Sequence, residues 1–180
     1  MRSLSLLLAL CILIGQLQAC ATRNVNLVDR NHEAADALLL KAGASLDKGK
    51  PILVATIMDV ADLTKTSRFG LITADMLAGR LAQQGYTVLE IKLDRENLYT
   101  LTGTGEMLLS NELRNLSASF GAQAVLIGTY APAGEQVYVS AKLVRAKDSV
   151  IIAAEDYRLQ GDDVASLIDP DLALRTSSWY

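Results

Sequence analysis

Cys20 is the side chain in this 180-residue sequence whose surroundings most clearly specify a reaction. It follows Met1-Arg2-Ser3, an apolar or small run from Leu4 to Gly15, and Gln16-Leu17-Gln18-Ala19. A positive start, an apolar stretch of about 7–15 residues and a small residue before the cut describe a secretory signal. The run is too short to span a bilayer, which takes about 20 apolar residues. Leu17-x-Ala19-Cys20 also resembles the bacterial lipobox, whose cysteine becomes lipidated and is then the new N-terminus. Thioether formation calls for a soft sulfur nucleophile, which a serine cannot replace. The plainer alternative is an ordinary thiol behind an ordinary cleavage site, but signal, spacing and small residue agree on lipidation. One acyl chain binds a membrane marginally and two or more anchor it, so a fully acylated Cys20 is expected to hold the chain stably. Ala21 follows where an aspartate would signal inner-membrane retention, so the expected address is the outer membrane, with the domain facing the periplasm.

No other residue type offers comparable chemistry. Cleavage before Cys20 leaves 161 residues and removes Cys11, so with Cys20 capped the mature chain has no free thiol and no disulfide. A single His and two Cys cannot build a Cys/His zinc site, and neither a metal nor a cofactor is expected. His32, with no partner His, reads as a solvated surface residue. Gly103-x-Gly105 lacks the third glycine of a dinucleotide fingerprint and the Gly-Lys-Ser/Thr of a phosphate loop, and reads as a turn. Asp162-Asp163, Asp169 and Asp171 lack the spacing of a calcium loop. Glu155-Asp156 would point to opposite faces of a strand, and Ser67, Ser110 and Ser117 lack a nucleophile elbow. Neither catalysis nor a small-molecule substrate is expected. A formal charge of −3 and a pI near 5.2 argue against a nucleic-acid surface. With 51% hydrophobic residues the chain can build a packed core.

The elements that would carry such a chain follow from periodicity. Residues 1–19 are read as signal, 20–30 as a lipidated tether, 31–160 as the domain and 161–180 as a C-terminal tail. Asn31 is expected to cap a first helix carrying Ala35, Leu38, Leu39, Ala42 and Leu46 on one face. Ile52 to Met58 reads as a strand buried on both sides. Ser67 or Thr66 caps a second helix with the stripe Ala74, Leu77, Ala78, Leu81 and Ala82, and Gly85 stops it. Tyr86 to Leu93 alternates like a strand near a sheet edge, and Leu98 to Glu106 reads as a loop or short turn. Leu109, Leu113, Leu116 and Phe120 suggest a third helix, and Ala124 to Tyr130 a second buried strand. Two further strands end at Tyr157, and only Val164 to Ile168 looks helical beyond them. The expected fold class is α/β. A mixed five-stranded sheet, made of two β-α-β units and an antiparallel C-terminal meander, is covered by helices and preceded by an N-terminal helix. The strands at residues 52–58 and 124–130 should be central.

Two features invite a partner. Phe69, Ile72 and Met76 form a second apolar ridge on the second helix, either core packed beneath the first helix or a partner interface. Trp179-Tyr180 would suit an interface anchor, although chain ends usually fray.

Several short stretches, in order and spacing, resemble the FlgO family, lipoproteins of the flagellar apparatus of Gram-negative bacteria. They are Ser67-Arg68-Phe69-Gly70, Leu77 to Leu81, Gly85-Tyr86-x-Val88, Gly105-Glu106 with Leu109, Ala124 to Tyr130, and Val137-Tyr138-Val139-x-Ala141-x-Leu143-Val144. Leu71 and Lys142 stand where the family favours Arg, and Asn111-Glu112 where it favours Arg-Asp. The resemblance implies a non-enzymatic outer-membrane lipoprotein supporting motility as a structural component around the flagellar basal body. Its partners would be flagellar or envelope proteins or further copies of itself, and it supplies no catalytic residue. It also makes Gly128 and Gly85 structural. The competing function is regulation of a peptidoglycan-synthesis or secretion machine.

Overall fold

The computed structural model describes residues 26–63, 67–91, 99–101, 107–109 and 111–169. Cys20, Gly103-x-Gly105, Ser110, Asp171 and Trp179-Tyr180 lie outside them, as do the side chains of Asp162 and Asp163. Helix α1 (Leu27–Ala42) starts five residues ahead of the position expected from a cap at Asn31. Asn26 is the cap, its Oδ1 accepting from the Asp29 backbone N–H at 2.9 Å, with Asp29 itself in the electropositive first turn. Helix α1 therefore begins inside the segment read as tether. Asn31 falls one turn into it, on the buried stripe with Ala34, Ala35, Leu38 and Ala42. Gly43, at φ +49°, ends the helix by donating its N–H to Leu39 O.

The run from Ile52 is two short strands rather than one. Strand β1 (Ile52–Val54) is buried throughout and lies between two parallel neighbours. The chain then leaves the ladder and re-enters it as β2 (Met58–Asp59). Val54 pairs with Leu126 and Met58 with Thr129, so four steps on one strand meet three on the other. The displaced residue, Ile57, gives its N–H to Gly70 O. That irregularity seats helix α2 (Arg68–Gln83), whose cap Ser67 accepts from Gly70 N at 2.9 Å. A Cβ on Gly70 would stand 2.0 Å from Ile57 O, so only glycine admits this approach. Gly85, at φ +86°, turns the chain after α2.

Strand β3 (Val88–Glu90) returns parallel to β1 at the sheet edge. Next comes an antiparallel hairpin of β4 (Tyr99–Leu101) and β5 (Met107–Leu109), separate from the main sheet. This corrects the loop expected over residues 98–106 and takes Leu109 out of the third helix. That helix, α3 (Asn111–Ser119), begins two residues later and keeps Leu113 buried, while Phe120 just beyond it is exposed. The expected stripe failed at both ends because leucines at four-residue spacing do not separate a helix from a short strand that runs into one.

Three ten-residue strands finish the sheet: β6 (Ala124–Ala133), which runs parallel to β1, then β7 (Gln136–Arg145) antiparallel to β6 and β8 (Ile151–Gln160) antiparallel to β7. Gly134, at φ +59°, makes the first turn. Pro132 is tolerated inside β6 because β2 has ended opposite Tyr130, so its missing N–H faces no neighbour there. Gly128 sits 2.5 Å, measured from a built Cβ, from Ser140 O, which makes it a packing glycine. Helix α4 (Gly161–Ile168) follows β8 directly and buries Val164.

The strand order is β3-β1-β6-β7-β8, with β2 also on β6. The sheet is thus mixed, parallel in its first half and antiparallel in its second, with β1 and β6 central. One face carries the main core, built from α1, α2 and α4 against residues such as Ile52, Leu126, Val139 and Leu143. The other carries a smaller core of Leu53, Val125, Ile127 and Val144 under Leu113 of α3. Beyond that smaller core Tyr138, on the same face, is 51% exposed.

Candidate functional site

The ridge on α2 divides. Phe69 is fully enclosed by its own chain and meets Tyr130 edge-on, ring centroids 4.8 Å apart at 67°. It therefore offers no side chain to a partner, which corrects that part of the interface reading. Ile72 and Met76 are half-buried, and the Met76 sulfur receives an N–H from the Asn31 amide at 3.3 Å. Sequence-nominated serines serve structure: Ser67 caps α2, and the buried Ser117 hydroxyl donates to Leu113 O at 2.7 Å. Glu155 is drawn to Lys41 of α1, whereas Asp156 projects from the opposite face of β8. His32 is half-buried on α1.

What fixes α1 to the rest is a set of polar contacts that periodicity does not reveal. Asn31 is fully buried, yet its amide N–H reaches Leu27 O at 2.9 Å and its oxygen accepts the Tyr157 hydroxyl. Burial pushes the Tyr157 phenol far above its ordinary range, so it remains a neutral donor. One turn on, Arg80 of α2 grips Asp36 through two hydrogen bonds, Nε to Oδ1 at 2.9 Å and Nη2 to Oδ2 at 2.7 Å, and Gln84 Nε2 adds a third at 2.9 Å. The Arg80 guanidinium holds the Asp36 carboxyl below the usual carboxylate range. A depressed folded-state value means stability that is present above about pH 4, the ordinary aspartate value, and is lost as pH falls through the lower folded one. Acid titration of thermal stability should accordingly show a smaller loss below pH 4 in Asp36→Asn than in the parent chain, with the variant less stable at pH 7. Asn31 could have been found in the sequence by extending the stripe Ala34, Ala35, Leu38 one turn backwards. The groups that reach it, from β8 and α2, could not.

Where the start of α1 approaches the far ends of β6, β7 and β8, an open groove of about 620 Å³ forms. Its walls bring together Arg30, Val60, Tyr130, Tyr138, Glu155, Asp156, Tyr157 and Arg158, side chains from five separate segments. The chemistry is that of recognition. Guanidinium, carboxylate and phenol groups line it, Glu155 is held by Lys41, and burial raises the Tyr130 hydroxyl above its ordinary value. The Tyr130 hydroxyl also meets the side chains of Ser67 and Asp59. Among the described residues no group of three or more His, Cys, Asp and Glu could hold a metal ion, and no helix is long and apolar enough to cross a membrane.

The sequence matches the family model described as FlgO protein over residues 32–164, which spans α1 to α4. No curated protein matches it significantly. Among solved structures, the LpoB C-terminal domain from Salmonella enterica superposes with a TM-score of 0.54 at 15% identity, covering 72% of this chain and 94% of that one. The LpoB C-terminal domain from Escherichia coli gives 0.50 at 12% identity, again over 72% and 94%. At these identities the likeness is one of fold.

Proposed function

We propose a role that starts from one fact: this chain belongs to the FlgO family. It is a non-enzymatic lipoprotein of the outer membrane, anchored through acyl chains on Cys20, with its α/β domain in the periplasm as a structural component around the flagellar basal body. The observation that carries this reading is the pairing of the family match over residues 32–164 with the lipobox ending at Cys20. Five residues, 21–25, separate that cysteine from the cap Asn26, and a chain of that length reaches at most about 20 Å. An acylated Cys20 would therefore hold the start of α1, and the groove beside Arg30, close to the lipid surface. That position suits a module that meets other envelope proteins near the membrane.

The test is Cys20→Ser. The variant should fold, with unchanged thermal stability, fractionate as a soluble periplasmic protein and impair swimming. Membrane fractionation like that of the parent would defeat the anchor, and normal swimming by an unanchored variant would defeat the flagellar role.

The fold shared with LpoB C-terminal domains favours a second reading, in which the same anchored module regulates a peptidoglycan-synthesis or secretion machine. Flagellar genes beside this one favour the first role, and peptidoglycan or secretion genes the second. A deletion strain that swims normally but is sensitised to cell-wall antibiotics would decide for the second.

A further inference from the structure

Strand β8 ends the order β3-β1-β6-β7-β8, so one edge pairs with β7 while the other, along ten residues, pairs with no strand among the described residues. Two backbone bonds reveal which groups face that open edge. Gly161 N–H donates to Glu135 O and Arg145 N–H to Val150 O. Gln136 with Gln160, and Val144 with Ile151, are therefore non-hydrogen-bonded pairs. Stepping back by twos from Gln160, the N–H and C=O groups of Arg158, Asp156 and Ala154 point away from β7. Lys41 Nζ, reaching Ala154 O at 2.7 Å, marks the same outward direction.

We propose that this edge docks a second copy of the same chain, by antiparallel β8–β8 pairing about a two-fold axis through Tyr157. The charges select both occupant and register. A two-fold ladder must set outward-facing residues opposite outward-facing residues. One such register places Asp156 against Asp156, another Arg158 against Arg158, and like charges directly opposed are unfavourable. A register that sets Ala154 against Asp156 sets Ile152 against Arg158, so neither charge meets its opposite. The register centred on Tyr157 sets Asp156 against Arg158 twice. Both side chains are exposed, and neither has an ion-pair partner among the described residues. Charged edges ordinarily discourage pairing. Here the alternation of sign, spaced by two residues on one outward row, discourages every partner strand that does not carry its complement, and β8 itself does. This inference does not depend on the lipid anchor.

Sedimentation velocity of the purified full-length mature chain in detergent should show a monomer–dimer equilibrium. Asp156→Arg or Arg158→Asp alone should each weaken it by about tenfold or more, and the double variant D156R/R158D should restore it. An equal mixture of D156C chains and R158C chains should cross-link the one to the other under mild oxidation, with neither linking to itself, which reads the register directly even if a reversal disturbs folding. A monomer at all concentrations, or an oligomer indifferent to both reversals and without the cross-link, would overturn the proposal. So would dimerisation that appears only when the chain is cut after Asp169, because the edge would then be occupied by the chain's own C-terminal residues.

Discussion

Replacing Gly70 by alanine should cost the fold more than about 3 kcal/mol, lowering the melting temperature by about 10 °C. One methyl group is added, but it would sit 2.0 Å from Ile57 O and 3.2 Å from Ile57 C. Neither atom is the free end of a flexible side chain, so the backbone of residues 55–57 or the first turn of α2 has to move. The first option disturbs the hydrogen bond from Ile57 N–H to Gly70 O and the re-entry of the chain into the sheet at Met58. The second breaks the Ser67 cap. Gly79, in the same helix, meets nothing within 4 Å, so Gly79→Ala should be neutral or slightly stabilising, by up to about 1 kcal/mol. Thermal unfolding of the two variants side by side separates close approach from helix propensity. Similar melting temperatures would mean that the contact with Ile57 is not a constraint.

Phe69→Ala is the second large effect, expected at about 3–5 kcal/mol. Phe69 is among the largest fully buried side chains and bridges the first turn of α2 to Tyr130 on β6. Truncation leaves a cavity at the junction of the two elements on which the main core depends, and it removes the aromatic edge contact. Phe69→Leu should recover more than half of the loss. A docking face behaves differently: truncation would leave the isolated chain's melting temperature nearly intact and weaken only its assembly. Chemical denaturation of Phe69→Ala, with m-value unchanged and midpoint shifted, is the expected signature of the core role.

The architecture was readable because its strongest signals are periodic. Ile52 to Val54 and Ala124 to Ile127 are unbroken apolar runs, and they are the central strands. Val137, Val139, Ala141 and Leu143 alternate with polar neighbours, and they point into the main core from β7. Gly85 and Gly128 announced a turn and a close approach, and both are present. The misreadings came where two local rules compete. Asn26 and Asn31 are both good caps, and tertiary partners on β8 and α2 take Asn31 into the helix. The break between Val54 and Met58 leaves no trace in composition, since Ala55 and Ile57 are as buried as their neighbours. Its cause, Gly70, lies thirteen residues downstream of Ile57. The groove and the outward row on β8 depend on registers that no single segment encodes. Cys20 is the opposite case, a proposed site that rests on the linear sequence alone, because the enzymes that would modify it read the linear signal.

Intact-mass spectrometry of the chain purified from its native membranes tests the anchor most directly. The account predicts a polypeptide that begins at Cys20 and carries a diacylglycerol thioether, with or without a further acyl chain on its amine. A mass equal to the unmodified sequence, whether cut before Cys20 or retaining Met1, would contradict it.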